Sequence, residues 1–152
     1  MKRKKWISAE KRPIVTVTGS RKKTMVFGCL SLDGKQLFKQ YDKFNSSTFV
    51  DYLKHVQKRF GKIVIYVDRA TPHCSQITRQ YIAQNKDTII LEYFPVGSPE
   101  FNAVEECWRQ GKYHILSTYY PTFDSLKDNI CCYYRNTRFN LDIVKYLMRR
   151  LD

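Results

Sequence analysis

The chain has 152 residues, 27 Lys+Arg against 14 Asp+Glu, and a formal net charge of +13. That length fits one domain able to bury roughly 68–70% of the surface its unfolded chain exposes. The apolar share of 43% and aromatic share of 14% supply a core and exclude a disordered tail.

After a basic lead, the β-branched run from Ile14 to Thr18 reads as a short strand, punctuated by Gly19 and Ser20. Thr24 to Leu32 and Lys35 to Tyr41 then flank Asp33-Gly34, the signal of a two-residue type I′ hairpin. Ser46 or Ser47 is placed to cap a helix. Its apolar residues Phe49, Tyr52, Leu53, Val56 and Phe60 recur at helical spacing up to Gly61. Ile63 to Val67 is apolar without alternation, as expected of a strand covered on both faces, and runs into Asp68. A short helix over roughly residues 75–84 and an apolar strand from Ile89 to Phe94, closed by Pro95, follow.

Ser98-Pro99-Glu100 sets a cap and a first-turn proline before a helix expected to reach about Leu116. Two further helical patterns complete the chain. One spans Phe123 to Tyr134; the other is capped by Asn140, with Ile143, Val144, Leu147, Met148 and Leu151 inward. Without repeats or Gly/Ser/Pro-rich linkers, residues 1–152 read as a single α/β domain. Strand-helix-strand alternation beside a hairpin predicts a mixed sheet with helices on its faces.

No run approaches the ~18 apolar residues of a membrane span. No apolar segment follows Met1 to Lys5 to form a secretory signal. Cys29, Cys74, Cys107, Cys131 and Cys132 are odd in number and contain no C-x-x-C pair, so they read as small apolar residues in a reducing compartment. The expectation is a cytoplasmic protein without a membrane partner. Its basic residues are spread from Lys2 to Arg150, which suits a broad face for a polyanion, most often nucleic acid.

Two acids stand out. Asp68 ends a buried strand, where open α/β sheets place their ligands, and a carboxylate there must be paired, neutralised or metal-bound. It could equally cap the turn that follows. Glu105 lies three residues after Asn102, so the pair could form a capping box in which Glu105 only returns a hydrogen bond. Glu106 lies about 100° further round that helix and cannot share its face. Trp108 does share roughly the face of Glu105 and is more often a packing anchor than a stacking platform.

Asp68 and Glu105 are separated by 36 residues. Around them Asp68, Ala70, His73, Pro95, Ser98, Pro99, Asn102, Glu105, Trp108 and Lys112 fall in one order and spacing. This pattern resembles the catalytic half of DDE transposases of the IS630/Tc1/mariner type. The hairpin, the helix after it and the helix from Phe123 extend the likeness over nearly the whole chain. Arg69, Phe101 and Ala103 depart from the pattern's usual Asn, Leu and Pro.

The resemblance implies an RNase H-like mixed sheet with flanking helices, and metal-dependent DNA cleavage and strand transfer at insertion-sequence ends. It makes Asp68 and Glu105 the catalytic acids and ligands of Mg²⁺ or Mn²⁺ in a two-metal site. His73 and Asn102 become supporting residues. Arg69, Arg109, Lys112 and Lys62 become contacts to double-stranded DNA, at transposon ends and target. The resemblance also implies a first catalytic strand and a helix-turn-helix domain, and the expectation is that residues 1–152 hold neither. Two of three acids are present, because the hairpin explains Asp33, and Asp42 and Asp51 lie on segments outside the pattern.

The expectation is a transposase segment at the prokaryotic nucleoid, weak or inactive alone, as a homodimer or with a full-length transposase. The alternative is a non-catalytic DNA-binding remnant or regulator. An RNA-binding domain is the weaker reading, since no RNP-type aromatic motif is present and Tyr133 and Tyr134 look like core.

Overall fold

A computed structural model describes residues 22–148. The strand expected from Ile14 to Thr18 and the inward Leu151 lie outside the described residues. In chain order the elements are β1 (Met25–Leu30), β2 (Gln36–Tyr41), α1 (Ser46–Phe60), β3 (Ile63–Val67), α2 (Thr71–Cys74), α3 (Gln76–Gln84), β4 (Ile89–Tyr93), α4 (Val104–Ile115), α5 (Phe123–Asn136) and α6 (Ile143–Met148). The architecture is mixed α/β and compatible with an RNase H-like fold. Among the described residues, no helix is long and apolar enough to cross a membrane.

β1 and β2 pair antiparallel, with Leu30 opposite Gln36. Their turn is not the expected two-residue type I′. Ser31 N donates to Lys35 O at 2.9 Å and Gly34 N to Ser31 O at 3.0 Å. Gly34 alone in the loop has positive φ, at 78°. A type I′ turn needs positive φ at both central residues, and Asp33 does not adopt it. The loop is a turn over Leu32 and Asp33 closed by a left-handed glycine. Asp33 is absorbed there, accepting from Ser31 Oγ and pairing with Lys35 Nζ at 2.6 Å.

α1 is capped by Asn45, not by Ser46 or Ser47. Asn45 is extended, which lets its Oδ1 accept from Thr48 N at 2.9 Å while Asn45 N donates to Thr48 Oγ1 at 3.1 Å. Phe49, Tyr52, Leu53 and Val56 form the buried face. α6 starts at an Asp142 cap, whose Oδ1 accepts from Lys145 N at 2.9 Å, rather than at Asn140. Leu141 N bonds back to Phe139 O, which spends the residues after Asn140 on a turn. Ile143 and Leu147 are partly buried, but Val144 faces solvent.

The single mixed sheet is not what forms among the described residues. β3 and β4 pair parallel, from Ile63 opposite Ile89 to Val67 opposite Tyr93, as a separate two-stranded sheet. Nor is β3 covered on both faces. Ile63, Ile65 and Val67 pack inward, whereas Val64 is 55% and Tyr66 58% exposed. The continuous apolar run conceals a period of two because its outward side chains are also apolar.

Two cores result. The first gathers Phe27, Phe49, Tyr52, Leu53, Val56, Val67 and Ile89, so that α1 packs beneath both sheets. The second gathers Cys107, Ile115, Ile130, Tyr134 and Phe139, between α4, α5 and the other face of the hairpin. Gly28 allows that approach: a Cβ there would collide with the Phe38 ring and come within 3.1 Å of Val104 Cγ1. Tyr134 is buried and Tyr133 packs beside it, as the sequence suggested. All five cysteines are free. Cys107 behaves as a small core residue, its thiol pushed up to about 12 by burial and then by the Glu106 charge. Cys131 and Cys132 are exposed.

Candidate active site

The parallel pair carries the site at its C-terminal end, the position that open parallel sheets offer to ligands. Asp68 follows the last residue of β3, and Phe94 N closes the neighbouring end by donating to Val67 O at 2.9 Å. The Asp68 side chain is 60% exposed. Its Oδ1 accepts from Ala70 N at 3.0 Å, so the turn-capping reading is correct for that oxygen. The same oxygen lies 2.7 Å from His73 Nδ1, which also lies 3.0 Å from Asp68 O. Both partners accept, so Nδ1 carries the hydrogen and bridges them.

His73 is itself held tightly. Its side chain is 12% exposed, and its ring centroid sits 4.2 Å from that of Phe49 and 5.6 Å from that of Phe44. Tyr93 Oη donates to His73 O at 3.2 Å. Phe44, Phe49 and Tyr93 were not legible as site residues, because each reaches His73 from another element and none sits on the motif.

Glu105 lies in the first turn of α4. The helix does not begin at Ser98 as expected. Pro99–Phe101 forms one 3-10 turn, and extended Asn102 breaks the path before α4. That break decides the fate of the capping box. Asn102 Oδ1 accepts from Val104 N at 3.3 Å and Asn102 O from Glu105 N at 3.0 Å. Asn102 N is already donated to Pro99 O at 3.0 Å, so no donor is left for a returning carboxylate. The Glu105 side chain is exposed and has no hydrogen-bond partner among the described residues.

Asp68, Arg69, Asn102 and Glu105 line one cleft of about 230 Å³, walled by the loop from Phe94 to Pro99. The two acids singled out from the sequence therefore face a shared space, with Asp68 Oδ2 and the whole Glu105 carboxylate uncommitted. The model of the DDE superfamily endonuclease family matches residues 1–127. The chain belongs to the DDE superfamily endonucleases.

Among curated proteins none matches the chain. The superfamily's substrate is DNA and its chemistry uses divalent metals. The cleft's donors suit such an ion: carboxylate oxygens prefer hard cations, and no thiol lines the space. Among the described residues no group of three or more His, Cys, Asp or Glu side chains forms a metal cluster.

The basic residues are divided. Arg69 borders the cleft, its guanidinium 5.1 Å from the Tyr93 ring centroid. Arg109 is engaged by Glu106, with Nε to Oε2 at 2.7 Å and Nη2 to Oε1 at 2.6 Å. That i,i+3 spacing was visible in the sequence. Lys62 and Lys112 are exposed along a different, larger groove between β1 and β3. Trp108 borders that groove too and packs on the second core, with its Nε1 buried and without a partner among the described residues.

Proposed function

We propose that this endonuclease domain is a transposase segment of the IS630/Tc1/mariner type, acting on double-stranded DNA at transposon ends and target. Asp68 and Glu105 are its catalytic acids and hold Mg²⁺ or Mn²⁺. The observation that carries this reading is the shared cleft, where a carboxylate from a strand end and one from a helix start are both left uncommitted.

A bound divalent ion supplies charge neutralisation at the phosphate and a more acidic water. The remaining work belongs to the chain. His73 positions Asp68 by fixing Oδ1, which leaves Oδ2 to hold an ion. Asn102 positions Glu105 by holding its backbone amide while denying its carboxylate a capping partner. Arg69 borders the same space as a cation for DNA phosphate. The charge of +13 supports backbone binding. Two acids are fewer than the three of the DDE pattern, so the chain alone binds DNA and cuts it weakly or not at all. A homodimer or a full-length transposase is its expected protein partner.

The test joins three measurements on the purified chain: Mn²⁺ titration, DNA binding against salt, and nicking of supercoiled plasmid. Mn²⁺ binding falls in Asp68→Asn and in Glu105→Gln. DNA binding weakens steeply with salt and is unchanged in both variants. Nicking is at most a trace. Absent DNA binding, or strong nicking that survives Glu105→Gln, would overturn the reading.

A further inference from the structure

Tyr93 is the last residue of β4 and stands opposite Val67, the residue before Asp68. Its ring centroid lies 5.1 Å from the Arg69 guanidinium, and its hydroxyl donates to His73 O at 3.2 Å. That bond, with packing against the first core, fixes the ring in place. Tyr93 is not one of the positions that carry the sequence resemblance. Arg69 stands where the resembled pattern has a neutral Asn, so a cation beside the two acids is this chain's own feature.

Such a cation creates a conflict, because Arg69, Asp68 and Glu105 line one cleft of about 230 Å³. Two other cations beside an acid pair with it: Arg109 binds Glu106 through two nitrogens, and Lys35 Nζ lies 2.6 Å from Asp33. Arg69 is exposed, yet among the described residues it forms an ion pair with neither Asp68 nor Glu105, and its contact is the Tyr93 ring. A guanidinium is attracted to the face of an aromatic ring and keeps its N–H groups free to bond outward from there. Paired with a carboxylate instead, it would take oxygens that a divalent ion needs and spend donors that a phosphate needs. We propose, resting on the ion-and-phosphate reading of the cleft, that Tyr93 is a positioning residue: its ring holds Arg69 off Asp68 and Glu105, keeping the guanidinium for DNA phosphate and the carboxylates for the ion. Tyr93 does not itself line the cleft, so it acts through Arg69.

The test titrates Mn²⁺ and double-stranded DNA, separately, against the full chain and its variants. In Tyr93→Leu the guanidinium is released onto the acids. Mn²⁺ affinity then falls at least about threefold, and the salt dependence of DNA binding loses about one phosphate contact. Tyr93→Phe keeps the ring and stays close to wild type in both titrations. Arg69→Gln loses the same phosphate contact but binds Mn²⁺ at least as tightly as wild type. The double variant Tyr93→Leu/Arg69→Gln regains that Mn²⁺ affinity, a rescue that a folding defect cannot produce. In wild type without metal or DNA, the ring current shifts the Arg69 side-chain NMR signals upfield, which tests the contact even where Tyr93→Leu is unstable.

Mn²⁺ affinity that stays as low in the double variant as in Tyr93→Leu would overturn the proposal, because the ring would then act through the fold and not through Arg69. Equal losses in Tyr93→Phe and Tyr93→Leu, or unshifted Arg69 signals, would overturn it too. Wild type that binds neither Mn²⁺ nor DNA sinks the reading of the cleft and this role of Tyr93 together. Wild type that binds both, without the rescue by Arg69→Gln, sinks the role of Tyr93 alone.

Discussion

The hairpin and the parallel pair are both two-stranded and largely apolar, yet they end in opposite surroundings. Phe27 and Cys29 of the hairpin pack towards α1, while Val26, Leu30 and Phe38 pack towards the core of α4 and α5. Among the described residues the parallel pair has helices on one face only, and Val64, Tyr66 and Ile90 on the other are half exposed. The covered sheet is a structural clamp. The half-bare one carries Asp68 at its end and borders the groove along its edge. The lesson is that an apolar strand reports its own conformation but not how many layers lie over it.

The sharpest test of that contrast compares one residue from each sheet. Phe27→Ala empties a site that is 7% exposed and ringed by Tyr41, Phe49 and Tyr52, and should cost about 3–5 kcal/mol in urea unfolding. Val64→Ser should stay within about 0.5 kcal/mol. Equal costs would mean that the bare face is covered in solution, and the contrast would fail.

A smaller effect probes how the clamp is tied down. Gln36 is buried, with Nε2 donating to Thr137 O at 2.6 Å and Oε1 accepting from Phe139 N at 3.0 Å. Gln36→Leu leaves both backbone groups unpaired and should cost about 1–3 kcal/mol. Faster exchange of the Phe139 amide should accompany it. Unchanged exchange there would mean that the segment after α5 holds without β2.

The smallest effect is a pH dependence at the hairpin tip. Hydrogen bonds from Lys35 and Ser31 hold the Asp33 carboxyl down at about 2, below its ordinary 3.8. A carboxyl lowered on folding stabilises the fold above its unfolded value, and that contribution is lost as pH falls towards the folded one. Asp33→Asn should therefore melt slightly below wild type at neutral pH, with the difference closing between about pH 4 and pH 2. A difference that persists at pH 2 would point to the turn's geometry instead of the charge.

Much of the fold was legible because its signals are local. The periodicity of α1 and α5, the apolar runs of β3 and β4, and Asp33-Gly34 each act within a few residues. Boundaries erred where neighbouring residues compete for one role. Asn45 caps α1 ahead of Ser46 because its extended backbone puts Oδ1 in reach of Thr48. The turn beyond Ser98 stops at Asn102, so the helix starts later than its proline suggested. The candidate acids were legible as a pair through spacing. Their environment was not, because Phe44, Phe49 and Tyr93 reach His73 from elements distant in the chain.

By itself the sequence determined the order of strands and helices, the basic surface and the two carboxylates, all of which are written in residue type and short-range spacing. Only the tertiary structure decided that Glu105 escapes its capping box and that His73 is packed against Phe44 and Phe49. It alone decided that, among the described residues, the two sheets form separately with a groove between them. Those outcomes depend on which partner reaches a group first in three dimensions, and on which faces find a layer to bury them.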